Sequence, residues 1–134
     1  GAYHQRMNIK RFRKVGAIAK ETAEWFHLSG SADAGELLIA WGSCAGVAKE
    51  YAAGHQGTAL FIPEIIHPFP AAALKQACAG RKRVTVLEMN YQGQLYHHLR
   101  AIGAIPPTAI SVARSGGLPL QTTDIEQLLS GQTA

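Results

Sequence analysis

The chain has only two cysteines, Cys44 and Cys78, far apart and with no second thiolate or cluster of histidines close by. Disulfide frameworks, zinc sites and iron–sulfur sites need several ligands at short spacing, so the chain's own residues support none of them. A reduced, cytoplasmic setting is expected. No apolar run is long enough to span a bilayer, and the basic start is not followed by the apolar stretch of a signal peptide. There is no GxGxxG and no Walker lysine. Acidic residues are absent from residues 1–20, which hold six Lys/Arg; the remainder carries seven Lys/Arg against nine Asp/Glu. The net charge of +4 therefore belongs to one terminal segment. Elsewhere basic residues are not interleaved with aromatics, so no nucleic-acid partner is expected. The terminal charge reads instead as the solvated face of an amphipathic helix.

What is present suits one globular domain: 134 residues, 47% of them apolar. Ile9, Phe12, Val15, Ile18, Ala23 and Trp25-Phe26 recur at helical spacing and predict an amphipathic helix over 8–26, its stripe packed on the domain or on a second copy in a homodimer. Residues 1–30 are read as this helix and a linker, and 31–134 as the domain. After a Ser/Gly-rich loop over 29–35 the chain alternates. Strands are predicted over 36–41, 58–62, 83–89 and 109–113, and helices over 43–53, 71–79, 92–102 and 123–129, with Thr122 or Thr123 capping the last. Continuous apolar strands separated by helices indicate a mostly parallel sheet covered on both faces, in the order 2-1-3-4. That order sets strand one beside strand three, so two strand–turn–helix corners meet at the sheet's carboxyl edge: Gly42-Ser43, and the segment Glu88, Asn90, Gly93, Gln94.

Each corner has two readings. Gly42-Ser43 at a helix start could bind an anion through backbone N–H groups, but Ser43 acting as an N-cap explains it better. Glu88 and Asn90 stand where α/β proteins place functional groups; structurally, Asn90 would brace the corner, Glu88 would cap or pair, and Gly93 would supply a conformation other residues avoid. No nucleophile, base and orienter trio is in view, so no catalytic residue is assigned. Cys44 follows the first corner at a helix N-terminus, which would lower its pKa, yet without a base it reads as a packed thiol. Adjacent His97 and His98 diverge by about 100° on a helix and form no metal face. Arg114-Ser115-Gly116-Gly117 could hold a carboxylate or phosphate, or simply connect to the last helix. Trp41, Tyr91 and Tyr96 stand at the sheet edge as interface anchors or packing groups.

Five segments in order resemble the second domain of the α subunit of 2-oxoacid:ferredoxin oxidoreductases: RMNIKRFRKV, LLIAWGSCAGVAKE, IIHPFP, VTVLEMNYQGQLYHHLR and SVARSGGLPLQTTDIEQLL. The Glu-x-Asn-x-x-Gly-Gln-Leu corner is similar to the 2-oxoglutarate type. The resemblance implies a transketolase C-terminal-like fold, a three-layer α/β/α sandwich whose mixed sheet has one further, antiparallel strand; residues 28–35 or the Pro-rich connection would supply it. It implies a complete enzyme that converts a 2-oxoacid with coenzyme A into acyl-CoA, CO₂ and reduced ferredoxin. Thiamine diphosphate, Mg and iron–sulfur clusters would be held elsewhere, the partners being a thiamine-binding N-terminal domain of the α subunit, a β subunit and ferredoxin. The matching stretch begins after that larger domain, so the chain is expected to be an excised domain or a short product that contributes structure and subunit contacts, inactive alone. The alternative is a stand-alone flavodoxin-like or transketolase-C-like module that binds a nucleotide or protein at the switch point.

Overall fold

Residues 1–131 are described by a computed structural model of the protein. Helix α1 (Ala2–Glu21) precedes strand β1 (Phe26–Ser29); the chain then alternates through β2 (Glu36–Ala40), α2 (Cys44–Gly54), β3 (Thr58–Pro63), α3 (Ala71–Cys78), β4 (Arg83–Glu88), α4 (Gln94–Ala101), β5 (Ile110–Ala113) and α5 (Thr122–Ser130). The sheet order is β1-β3-β2-β4-β5, with β1 antiparallel to β3 and every other pairing parallel. The order expected for the four parallel strands is the one found.

Period-two alternation splits each strand between two cores. Leu37, Ile39, Ala59, Phe61, Val84 and Val86 pack with Leu74 of α3 and with Leu95 and Leu99 of α4. Leu38, Ala40, Leu60, Ile62 and Leu87 face the other way onto α2 and α5, meeting Cys44, Ala48, Ile125 and Leu129. Because both faces are covered, the strands carry apolar side chains throughout, and the result is the three-layer α/β/α sandwich.

Three expectations change. The first helix stops at Glu21, and Phe26 lies in β1, paired with Pro63. The fifth strand therefore begins before residue 28, inside a segment whose apolar spacing also fits a helix. Stacking of Phe26 on Phe61 (ring centroids 4.9 Å apart) and ladder pairing outweigh the local period. Next, α1 buries no residue, and Phe12 is 77% exposed, so its stripe does not pack on the domain. Finally, α5 starts after Gln121, whose backbone N–H donates to Asp124 Oδ2 at 2.8 Å; the carboxylate three residues in, not Thr122 or Thr123, ties down the helix start. A cis peptide bond joins His67 and Pro68 ahead of α3.

Candidate functional site

β4 delivers Glu88 to the carboxyl edge of the sheet on the side of α4, fully buried. Both of its carboxylate oxygens accept hydrogen bonds. Oε1 accepts the Leu95 backbone N–H at 2.6 Å and the Asn90 amide at 2.9 Å, while Oε2 accepts the Tyr96 N–H at 2.9 Å. Asn90 Oδ1 in turn accepts the N–H groups of Gly93 (2.6 Å) and Gln94 (3.2 Å). The orphan donors of the first turn of α4 are thus satisfied by two side chains from the preceding strand and turn, and the negative charge lies at the favourable end of the helix dipole. Gly93 adopts φ +68°, and a Cβ there would lie 2.6 Å from Ser111 Oγ. Ser111, on the neighbouring β5, carries no local signal in the sequence that could have revealed this role; only strand pairing brings it under the turn.

The second corner lies on the adjacent strand. Gly42 is left-handed (φ +57°), and Ser43 takes the N-cap position of α2 without a side-chain hydrogen bond, so the expected hydroxyl cap is not made. The Cys44 and Ala45 N–H groups bond to the carbonyls of Trp41 and Gly42, which leaves them unavailable to an anion. Trp41, Gly42, Ser43, Cys44, Met89 and Asn90 enclose a cleft of about 180 Å³ between the corners. Gly42, Ser43 and Asn90 therefore meet in one place, whereas Glu88 lies buried behind Asn90, and Gly93 and Gln94 belong to the turn beyond it. Burial drives the Cys44 thiol pKa up, with a smaller rise from the Glu88 charge and a partial offset from a hydrogen bond with the Met89 backbone. Desolvation outweighs the helix terminus, contrary to the expected lowering.

Other candidates resolve into structural contacts. Arg114 holds the chain's own Asp124, Nη1 to Oδ1 at 2.8 Å, and its backbone N–H donates to the Glu88 carbonyl at 3.0 Å. His98 Nε2 donates to the Ile66 carbonyl at 3.2 Å, and His97 meets Tyr96 edge-on. No group of three His, Cys, Asp or Glu side chains able to hold a metal occurs among the described residues. Tyr91 is 84% exposed, and Trp41 is half-buried at the cleft.

The corner pair and the mixed five-stranded sheet have a counterpart among known families. The model for pyruvate:ferredoxin oxidoreductase core domain II matches residues 34–125, more than half of the chain. The chain belongs to this family. Within the core domain II match lie both corners and four of the five strands, while α1 and β1 precede it. Among solved structures, the domain is similar to 2-oxoglutarate:ferredoxin oxidoreductase from Magnetococcus marinus, a complex with 2-oxoglutarate, coenzyme A and succinyl-CoA bound. The two share 29% identity with a TM-score of 0.84 over 100% of this chain, α1 and β1 included. This chain spans 24% of that relative's length. No curated protein sequence matches. The chain is thus a core domain II, and its fold is that of the family.

Proposed function

We propose that this domain works as a non-catalytic component of a thiamine-dependent 2-oxoglutarate:ferredoxin oxidoreductase, giving structural support and subunit contacts to the part that performs oxidative decarboxylation. The 2-oxoglutarate assignment draws on the Glu88-to-Leu95 corner and on the similarity to the Magnetococcus marinus enzyme. The observation that carries the structural role is the engagement of Glu88: the one fully buried carboxylate among the described residues accepts three hydrogen bonds, at least one on each oxygen, and does not line the cleft. A general acid or base needs a proton partner in the substrate, and a metal ligand needs an accessible lone pair; this buried carboxylate is engaged by Asn90 and the first turn of α4.

Thiamine diphosphate and Mg would require an acidic or amide ligand set, and iron–sulfur clusters several thiolates. The described residues do not fit these groups: Glu88 and Asn90 hold each other and the α4 turn, and Cys44 and Cys78 are separate. In the proposed assembly these groups belong to partner domains. The cleft of about 180 Å³ is smaller than the roughly 300–1,000 Å³ of small-molecule sites, which weighs against a stand-alone nucleotide-binding module.

The test is co-expression with the thiamine-binding region and β subunit of the same enzyme, followed by an assay of 2-oxoglutarate- and coenzyme A-dependent ferredoxin reduction. The domain is expected to co-purify, to be inactive alone and to be required for full activity. Complete activity of the other parts without this domain would refute the proposal.

A further inference from the structure

Helix α1 has twenty residues, a length of about 30 Å, and buries none of them against the domain. At 100° per residue Ile9, Phe12, Val15, Gly16 and Ala19 share one face, with Gln5 and Asn8 set among them. Ile9 is 44% and Phe12 77% exposed. Arg6 and Arg13 border that face on one side and Arg11 on the other, Lys10 and Lys14 lie on the opposite side of the helix, and no acid occurs before Glu21. An exposed apolar stripe edged by charge of one sign marks a binding surface.

From this pattern we infer that α1 is the docking helix of the domain, and that it seats in an apolar depression rimmed by carboxylates on the thiamine-binding part of the same enzyme. The inference rests on the function proposed above and names the surface that makes the contact. Charge selects the occupant. Pairing α1 with α1 of a second copy would set two all-basic rims against each other, a destabilising arrangement of like charges. A membrane surface rewards buried apolar area, and this stripe has one aromatic and two branched aliphatic side chains with no Leu or Trp. Nucleic acid would take the basic side and leave Phe12 in water. An acidic protein surface covers stripe and rims together.

The experiment uses the full chain and its Phe12→Asp and Arg6→Glu/Arg13→Glu variants, each tested for binding to the co-expressed thiamine-binding region and β subunit at low and high salt. Since α1 is not packed on the domain, the melting temperatures of the variants should match the parent chain. Both variants are expected to weaken association by about tenfold or more, and high salt should weaken the parent but not the charge-reversed form. Binding that survives both substitutions would overturn the docking role of α1 while leaving the proposed function intact. Failure of the parent chain to bind would overturn both. A homodimer of the parent chain that Phe12→Asp dissociates, or sedimentation with phosphatidylserine/phosphatidylcholine vesicles, would show that the helix serves a different occupant.

Discussion

Asn90, in the turn after β4, donates its side-chain amide to Oε1 of Glu88, the last residue of that strand, at 2.9 Å. The contact couples two capping systems. Glu88 takes the N–H groups of Leu95 and Tyr96, Asn90 those of Gly93 and Gln94, and the link between them makes the strand end, the turn and the first turn of α4 one hydrogen-bonded unit. The passage from β4 into α4 is therefore built as a joint.

Glu88→Ala should destabilise the domain by roughly 2–4 kcal/mol, because it leaves buried donors unpaired and opens a void. Glu88→Gln keeps the volume but turns an NH₂ group toward N–H donors or forfeits one acceptor, so it should also destabilise, by about 1–3 kcal/mol. Urea unfolding followed by circular dichroism measures both. Stability equal to the parent in Glu88→Gln would show that the charge and the second acceptor are dispensable.

Gly93→Ala combines a left-handed backbone with a Cβ placed 2.6 Å from Ser111 Oγ, and should cost about 2–3 kcal/mol. Ser111→Ala removes the clashing oxygen but not the backbone penalty. The double variant should therefore recover part of the loss in the same unfolding experiment, and strict additivity of the two substitutions would dismiss the contact.

Asp124 has its pKa lowered by the hydrogen bond from the Gln121 backbone and then by Arg114. A carboxyl held below its unfolded value stabilises the fold above the ordinary carboxylate range and loses that contribution as pH falls through the lowered value. The stability gap between the parent chain and Asp124→Asn should thus be present at neutral pH and shrink in acid. Thermal melts across this range check the sign; a gap that widens on acidification would contradict it.

Burial pushes the Cys78 thiol up to about 11, partly countered by the Arg81 charge, and burial also raises Cys44. At neutral pH Cys78 carries about a hundredfold less thiolate than an ordinary cysteine, and thiolate is the reacting form. Alkylation by iodoacetamide should be at least about tenfold slower in the native chain than in urea. Equal rates would show that these thiols are not shielded.

The alternation of apolar strands with helices was legible residue by residue, because a doubly covered parallel sheet needs runs such as those of β2, β3 and β4. The corner after β4 was legible as well: Gly93 stands at positive φ, and Glu88 and Asn90 brace the turn. Less was legible at the edges. Trp25 and Phe26 fit a helical stripe as well as a strand, and only Phe61 and the β3 ladder decide between them. Ser43 resembles a cap by composition, yet its side chain makes no capping bond.

By itself the sequence determined the four parallel strands, the helices between them, their order in the sheet and the two corners that meet at the switch point, since these follow from local periodicity, turn chemistry and topology rules. Tertiary structure alone decided how Glu88 is used, that Arg114 is claimed by Asp124, that Ser111 lies under Gly93, and that α1 stands clear of the domain. The physical reason is range: each of these outcomes depends on which donor, carboxylate or surface the fold brings within a few ångströms, and local periodicity holds no record of that distance.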